Sequence, residues 1–478
     1  MEEKEKKLSL SFWLVLLAAA GMYALLAMNH NIWADEAYTF AMLRHSFADI
    51  CRITAVDSHP PLYYLAAKLF TMPFDYSEYA VRLFSGACSL LVVGIGGWQL
   101  TKLFNRKVGL LFMVLYALFP FILERSMETR MYPLAALGIF LCALFAYRAW
   151  QDNKARHWVG FVCGGLCAAY SHYFALAAAG ILYGLLFLCI LFKKRQLLKS
   201  WLIAALVTIA LYAPWLGSLI GQLAYKVDHE YWIAPITPAT LIDYAKGLFQ
   251  ATGFSFFYLF FGAVMLWLLV RTCWRHQAAP LLALAACVLT VGVGVGASLI
   301  LRPVFIIRYL SPCAPLLIFF LAWGLSDIKK ETVYGAAMGI LLTGFLTNLA
   351  CAVVDVKPKQ NMINQEALAQ YSQAQAYVML SDNAYHVHQS ISYYNSQTPI
   401  YTPETMGDAN PYPNVYPMED FDPEGLDTLN LADEGVYLLM ESGASVNRLA
   451  AVLAADGLDW TLETVEQTAY FTVWRLQK

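Results

Sequence analysis

The chain has 478 residues, of which 59% are hydrophobic and only 14% carry a charged side chain, and its formal net charge is −2. Soluble domains are close to half apolar and a quarter charged, so this composition indicates a membrane protein. It excludes a disordered chain, a coiled coil and a basic nucleic-acid-binding protein, and it argues against a cytosolic enzyme.

The first predicted element follows the charged stretch MEEKEKK, as an apolar run from Ser11 to Met28. This run is long enough to span a bilayer, and no small-residue cleavage site follows it. We therefore predict a retained first helix rather than a removed signal peptide.

Apolar stretches of spanning length recur along the rest of the chain, which predicts about eleven transmembrane helices. We place them near residues 8–28, 79–101, 108–124, 130–148, 157–173, 175–192, 200–220, 254–271, 278–300, 304–325 and 333–354.

The ten cysteines lie almost entirely in apolar stretches, so no disulfide framework is predicted. Cys163 and Cys167 are four apart on an apolar helix and lack nearby partners for a metal ion. Helix packing is therefore the favoured interpretation of that pair.

The distribution of Lys and Arg predicts the orientation of the helices. One set of alternating segments holds 17 basic against 6 acidic residues, whereas the opposite loops and the tail hold about 13 basic and 28 acidic ones. By the positive-inside rule the first set is cytoplasmic. It comprises 1–10, 101–107, 148–156, 193–199, 271–277 and 326–332. An odd number of helices then places the C-terminal tail outside the cell (plasma or inner) membrane.

Two outer loops are too long to be simple connectors. In residues 29–78, the aromatic-rich segments Ala37–Phe47 and Pro61–Phe70 predict short helices lying on the membrane surface. Residues 221–253 form a second outer loop, rich in Tyr, Trp and Pro.

The chain becomes polar and acidic after Asp355. Its short apolar runs predict strands at Ala376–Ser381, Gly435–Met440 and Tyr470–Arg475 and a helix at Val446–Ala455. We interpret His386 and His388, two apart, as part of a solvated face rather than as a metal site. The predicted fold class is therefore mainly α: a polytopic helical bundle over 1–355 with a small extracytoplasmic α/β domain over 356–478.

Charged groups close to a membrane are expensive unless they have partners, so they mark candidate sites. The first cluster is Trp33-Ala-Asp35-Glu36-Ala-Tyr38-Thr39. Its adjacent carboxylates could supply a general base and a second polar or metal-binding group. Asp35 and Glu36 could equally be a helix N-cap and a first-turn acid.

The second cluster is Asp57-Ser-His59-Pro60-Pro61-Leu-Tyr63-Tyr64. The two prolines can begin a helix but cannot lie inside one, so Asp57 and His59 are held at a defined turn. A carboxylate and an imidazole two residues apart suit metal ligation or proton exchange, and capping alone is the alternative.

The third cluster is Glu124-Arg-Ser-Met-Glu128-Thr-Arg130-Met-Tyr132. Glu124, Glu128 and Tyr132 are four apart and would share one face if the segment is helical. The planar guanidinium of Arg130 suits phosphate or carboxylate. Alternatively, the acids and bases of this segment neutralise one another and are purely structural.

The fourth cluster comprises Tyr170-Ser-His172-Tyr173 together with Arg302 and Arg308. Arg308 lies in an apolar run near the predicted outer surface and needs an anionic partner, which could be a lipid phosphate or an acidic side chain. All four clusters lie on one predicted membrane face. This convergence favours an outer-facing site that is open to a lipid-borne group.

The stretches WADEAYT, DSHPPLYY, METRMYPL and YSHYF, in this order, resemble the signature stretches of the GT-C glycosyltransferases. They are most similar to the bacterial relatives of protein O-mannosyltransferases, glycosyltransferase family 39, and to aminoarabinose lipid A transferases. The resemblance covers residues 10 to about 220, with a weaker echo at IIRYLSPCAPLL (306–317), and the tail lies outside it.

This resemblance implies an enzyme that moves a hexosyl or pentosyl group from a polyprenyl-monophosphate carrier to an acceptor hydroxyl on the outer face, with inversion. Asp35 would be the base, and Glu36 would support it by a hydrogen bond or by holding a cation. The other implied donor- or acceptor-binding residues are Asp57, His59, Tyr63, Glu128, Arg130, Tyr132, His172 and Arg308.

The resemblance does not determine the charge at one position, the need for a metal ion or the identity of the acceptor. Members of the aminoarabinose branch have Lys where His59 falls, so here the charge at that position depends on pH. Glu36, Asp57 and His59 are the candidate ligands of a divalent cation, and no other cofactor is implied. The acceptor could be a glycan, a lipid or a protein. The chain has no dinucleotide or Walker motif, which agrees with a lipid-linked donor.

Two other classes of protein compete with this prediction. Eleven spans also suit a lipid or glycan transporter or flippase, but we find no clear inverted repeat, and the charged residues lie at helix ends rather than at mid-membrane. An envelope-assembly or receptor protein would leave the clustered acids and arginines unexplained.

Overall fold

The structure, a computed structural model, divides into two compact units, which are described separately. The membrane unit comprises Met1–Met28 and Asp57–Val354, and the second unit comprises Asn29–Val56 and Asp355–Lys478. The residues that the structure describes are 9–29, 32–228, 233–247, 255–275, 277–354, 377–379, 399–402, 410–417, 436–441, 461–467 and 471–477.

The described chain is mainly helical, as predicted. Its α-helices are α1 (Leu10–Leu26), α2 (Ala34–Arg44), α3 (Phe47–Val56), α4 (Leu62–Thr71), α5 (Glu78–Leu103), α6 (Arg106–Leu118), α7 (Pro120–Met127), α8 (Tyr132–Asp152), α9 (Ala155–Ser171), α10 (Tyr173–Lys193), α11 (Leu198–Asp228), α12 (Pro238–Gly247), α13 (Ser255–Trp274), α14 (Ala278–Ile300), α15 (Ala314–Ser326) and α16 (Glu331–Val354). Short 3-10 helices are Met72–Phe74, Arg195–Leu197 and Ile307–Cys313.

Each of the eleven segments predicted to cross the membrane contains a helix. Within the described residues, seven helices are long and apolar enough to cross, or eight when the bent pair α6–α7 is one crossing. The helix α1 and the apolar part of α13, Gly262–Trp274, are shorter. The chain is a multi-pass membrane protein, and the predicted count of eleven crossings is confirmed only in part.

Proline and polar caps set where several of these helices begin. Asn105 accepts a hydrogen bond from the backbone N–H of Val108 and so caps α6. Phe119 precedes Pro120 and has an extended backbone, because a residue before proline avoids the helical region. The axes of α6 and α7 therefore meet at 62°. Pro133 similarly occupies the first turn of α8.

Helices α8 and α9 pack closely because glycine lies at their crossing. A Cβ atom on Gly138 would come within 2.6 Å of the backbone nitrogen of Ala168, and one on Gly164 within 2.5 Å of that of Cys142. Such distances leave no room for a side chain. Because the two helices are antiparallel neighbours, the start of α8 and the end of α9 lie at one end of the bundle.

The predicted surface helices in residues 29–78 are present with shifted ends, as α2 and α4. Between them lies α3, which the sequence analysis did not predict. This helix begins at Phe47, and the side chain of Ser46 caps it by accepting a hydrogen bond from the backbone N–H of Asp49 in the first turn. By packing, α2 and α3 group with the C-terminal residues rather than with the helices that flank them in sequence.

The second unit contains a mixed six-stranded sheet. Its strands are β1 (Tyr377–Met379), β2 (Ile400–Thr402), β3 (Val415–Pro417), β4 (Val436–Glu441), β5 (Thr461–Gln467) and β6 (Phe471–Gln477). The strand order is β3-β2-β1-β4-β6-β5, with parallel pairing from β3 to β4 and antiparallel pairing in β4-β6-β5.

Three of these strands, β1, β4 and β6, lie at the segments predicted from sequence. The other three strands were not predicted. The predicted helix Val446–Ala455 and the residues His386 and His388 lie outside the described residues.

Candidate active site

Several helix ends bring the predicted polar clusters of the membrane unit together. The segment Met127–Tyr132 joins α7 to α8, His172 separates α9 from α10, and the 3-10 helix Ile307–Cys313 packs against α7, α8 and α10. Residues from three distant parts of the sequence therefore meet at one end of the bundle.

The turn between α7 and α8 holds buried charges. Arg125 forms ion pairs with Glu128 and with Glu124, the latter at 3.2 Å. The guanidinium of Arg130, only 4% exposed, donates a hydrogen bond to the hydroxyl of Tyr64 at 3.3 Å. Arg125 pairs with both acids of this segment, and Arg130 also contacts α4. The turn thus joins its own charged groups to a neighbouring helix.

The geometry of this turn corrects one expectation. Glu124, Glu128 and Tyr132 were expected to share a face if the segment were one helix. Helix α7 ends at Met127, and Glu128 has an extended backbone before α8 begins at Tyr132. The three residues therefore do not follow one helical face.

Asp57 and His59 lie at the turn before α4, as the two prolines predicted. The Asp57 carboxylate is 3.8 Å from Nδ1 of His59, and both side chains are largely buried. Burial alone would raise the pKa of Asp57. The hydrogen bond and charge of His59, the Ser58 backbone and the charge of Arg130 together outweigh burial and hold that pKa below its usual value. Asp57 is thus a buried anion stabilised by neighbours from two segments.

His172 is at the centre of an aromatic group. It caps α10, because its Nδ1 accepts a hydrogen bond from the backbone N–H of Phe174 at 3.1 Å. In the neutral ring the proton is then on Nε2. The ring centroid of His172 lies 5.6 Å from those of His59 and Tyr132, and 5.0 Å from that of Tyr309. This imidazole, 2% exposed, links three of the four predicted clusters.

Arg308 lies in the 3-10 helix next to Tyr309, with its guanidinium 6.0 Å from that ring. Its charge acts on Arg125, so the two guanidinium groups are close. Arg308, which is half-buried, therefore adds a further positive charge beside the ion pairs of Arg125.

The predicted binding residue Tyr63 makes a contact that holds two helices together. Its ring is fully buried, and its hydroxyl shares a 2.8 Å hydrogen bond with Ser85 of α5. This contact fixes α4 against α5. Its predicted role in binding a substrate stays a prediction.

The three candidate metal ligands belong to different units. Asp57 and His59 lie in the membrane unit, and Glu36 lies in the second unit. Within the part of the chain that the structure describes, no group of three or more His, Cys, Asp or Glu side chains is placed to hold a metal ion.

Asp35 and Glu36 lie in the first turn of α2, in the second unit. The Glu36 side chain is buried. At the other end of α2, Nε2 of His45 lies 2.8 Å from the carbonyl oxygen of Pro411, near β3. The helix that carries both predicted catalytic acids is therefore attached to the C-terminal sheet.

Sequence reasoning missed several residues of the cluster. Tyr64 and Tyr309 were quoted in motifs but given no role, and Arg125 was interpreted only as part of a neutral group. Gln222, which is buried and bonded to Tyr173, was not considered at all. The signal available in the sequence was a polar glutamine in a mostly apolar stretch. The structure shows that its side chain is only 5% exposed.

The chain has the GT-C fold, as the sequence motifs predicted. A sequence model of the family described as dolichyl-phosphate-mannose-protein mannosyltransferase matches residues 58–217, about a third of the chain. The matched region includes His59, Glu128, Arg130 and His172. No curated protein sequence matches the chain significantly.

Solved structures share the fold over nearly the whole chain. The structure of ArnT from Cupriavidus metallidurans in the apo state has a TM-score of 0.68 and 13% sequence identity, with 97% of each chain covered. The same protein bound to undecaprenyl phosphate gives 0.66 and 13%, with 98% of each chain covered. The archaeal oligosaccharyltransferase AglB from Archaeoglobus fulgidus, in complex with an inhibitory peptide and a dolichol-phosphate, gives 0.50 and 13%, covering 90% of this chain and 69% of that one.

Proposed function

We propose that this protein is an integral membrane glycosyltransferase. It transfers a sugar from a polyprenyl-monophosphate carrier to an acceptor hydroxyl on the outer face of the membrane. The observation that carries the proposal is the buried cluster of Asp57, Glu128, Arg130 and His172 on the helix ends of a GT-C fold. The match to the mannosyltransferase family and the ligand named for ArnT, undecaprenyl phosphate, support the same donor class.

Arg130 and Arg308 bind the donor phosphate. Guanidinium groups form paired hydrogen bonds with phosphate oxygens, and a buried site strengthens each of them. When the bond between the anomeric carbon and the phosphate oxygen breaks, its electron pair stays on the polyprenyl phosphate. The two cations stabilise that growing charge, which makes the lipid phosphate a good leaving group without a nucleotide.

Asp35 accepts the proton of the acceptor hydroxyl while the hydroxyl oxygen attacks the anomeric carbon. Attack from the side opposite the phosphate inverts the configuration at that carbon. Glu36 supports the base from the same turn of α2. A positioned general base contributes about 10² to 10⁴ in rate.

The protein has its N-terminus in the cytoplasm and its C-terminal domain outside the cell membrane. The charge distribution over the loops supports this orientation, with basic residues on the predicted inner side. Residues 1–355 form the catalytic domain in this proposal, and 356–478 the extracytoplasmic domain.

Transfer of label from a polyprenyl-phosphate sugar, measured in membranes that contain the protein, tests the proposal. We expect Asp35→Asn to reduce turnover by about 10² to 10⁴ while the protein still inserts. Asp327→Asn, at the opposite end of the bundle, is the matched control, since it makes the same chemical change away from the cluster. Wild-type turnover in the Asp35 variant would contradict the role of this residue, and failure of the wild-type protein to bind polyprenyl phosphate would contradict the donor class.

A further inference from the structure

A second polar network lies beside the active-site cluster, where α10 faces α11. Tyr173 is the first residue of α10, and its hydroxyl donates a 2.5 Å hydrogen bond to Oε1 of Gln222. The indole N–H of Trp215 donates to the same hydroxyl at 3.1 Å. Gln222 and Trp215 are both buried, on one face of a helix that is mostly apolar. Burying polar groups in a membrane bundle costs free energy, so a network of this kind indicates a functional role.

Tyr212 is an unsatisfied member of the same group. Its side chain is 6% exposed, and its hydroxyl has no hydrogen-bond partner within the described residues. The ring of Tyr170 lies 5.1 Å from that of Tyr212, which places this hydroxyl in the same aromatic group. A buried hydroxyl without a partner is unfavourable, so it points to a group that arrives from outside the protein.

The network is connected to the active-site cluster. Tyr173 follows His172 directly in the chain, and the Asp57 carboxylate is close enough to act on the Tyr173 phenol. The ring of His172 also contacts Tyr309, the neighbour of Arg308. Arg308 is thus linked to the α10–α11 network through Tyr309, His172 and Tyr173.

We propose that Tyr173, Tyr212, Trp215 and Gln222 form the subsite that binds the sugar ring of the lipid-linked donor. This inference rests on the proposed function. Aromatic faces pack against the C–H face of a sugar, and amide and phenol groups exchange hydrogen bonds with its hydroxyls. The hydrogen bond from Tyr173 holds the Gln222 amide in this group. The subsite then selects the donor by its hydroxyl pattern, as polar groups in a mostly apolar pocket do.

Tyr170 distinguishes a structural role from a binding role. Its hydroxyl donates a 2.8 Å hydrogen bond to the carbonyl of Leu211, close to Pro214, which has no N–H to contribute to α11. Neighbouring side chains commonly satisfy backbone groups near such prolines. Tyr170→Phe therefore removes a structural hydrogen bond, whereas Tyr212→Phe removes a hydroxyl that bonds to nothing in the described protein.

The experiment compares the affinity of purified full-length protein for two kinds of probe. One probe is polyprenyl phosphate alone, and the others are the same lipid phosphate carrying each of a panel of hexoses and pentoses. We expect at least one sugar to tighten binding by the wild-type protein. The sugar increment is the ratio of the affinity for the sugar-bearing lipid phosphate to the affinity for the lipid phosphate alone. Tyr212→Phe should reduce the sugar increment about 10-fold, and Gln222→Leu should reduce it about 10- to 100-fold.

Neither variant should change the affinity for polyprenyl phosphate alone, and Tyr170→Phe should keep the sugar increment. Tyr212→Phe should also keep the wild-type thermal stability, so loss of fold does not explain its effect. The inference is overturned if no sugar tightens wild-type binding, or if Tyr212→Phe and Gln222→Leu both retain the full increment. Failure to bind polyprenyl phosphate at all would instead overturn the proposed function.

Discussion

The two ends of the helical bundle use charged side chains in different ways. At one end, Asp327 pairs with Arg271 at 2.8 Å and with Arg275 at 2.9 Å, and all three side chains are partly exposed. Asp152 and His157 form another pair at 2.7 Å where α8 passes into α9. The Asp327 pairs join the end of α15 to the end of α13, and the Asp152–His157 pair lies at the turn between α8 and α9.

At the other end, the charges are buried and come from distant segments. Arg130 bonds to Tyr64 of α4, Asp57 is close to both His59 and Arg130, and His172 contacts rings from three elements. Partly exposed ion pairs contribute little to stability. Buried groups from distant segments are expensive to maintain, so they indicate a site that binds or reacts.

The largest effect that tests this contrast is expected at Arg130. Arg130→Ala should reduce sugar transfer by about 10² to 10³-fold, because it removes a donor that stabilises the negative charge developing on the leaving phosphate. Arg130→Lys should retain part of the activity, because it keeps the charge but loses the planar fork. Initial rates with a labelled polyprenyl-phosphate sugar measure both. Equal losses in Arg130→Ala and Arg271→Ala would remove the contrast between the two ends.

A second test concerns the donor phosphate. Arg308→Ala should weaken binding of polyprenyl phosphate by about 2–5 kcal/mol, as expected on losing one partner of a buried charge pair. Titration of the purified protein with polyprenyl phosphate measures this change. An unchanged dissociation constant would show that Arg308 does not contact the phosphate.

A third test uses the pH dependence of stability. The pKa of Asp57 is lower in the folded protein than its usual value, so its ionised form adds stability above the unfolded pKa of about 3.9. That contribution is lost as the pH falls through the folded pKa. The thermal stabilities of wild type and Asp57→Asn should therefore differ at pH 7 and converge below about pH 4. A difference that persists at acidic pH would indicate that the carboxylate charge is not the cause.

The smallest effect is expected at the opposite end of the bundle. Asp327→Asn weakens two partly exposed ion pairs, so it should lower the free energy of unfolding by at most about 1 kcal/mol per pair. Sugar transfer should stay at the wild-type rate. A large loss of activity in this variant, at unchanged stability, would mean that both ends take part in function.

Much of the fold was predictable from local sequence. Long apolar runs gave a helix at every predicted span, and the prolines placed the turn at Asp57. Helix α3 was missed because Phe47–Val56 mixes polar and apolar residues over only ten positions. The strands β2 and β3 were missed because three-residue parallel strands depend on partners far away in the chain.

The sequence by itself determined the membrane class, the helices and the residue types that a lipid-linked donor requires, because hydropathy and motif order are local properties. Only the tertiary structure decided which of these residues meet. It brought His172 against His59 and Tyr309, attached α2 to the C-terminal sheet through His45, and joined Tyr173 to Gln222. Such contacts depend on how helices pack across the bundle, and no local pattern in one segment records the identity of its neighbour.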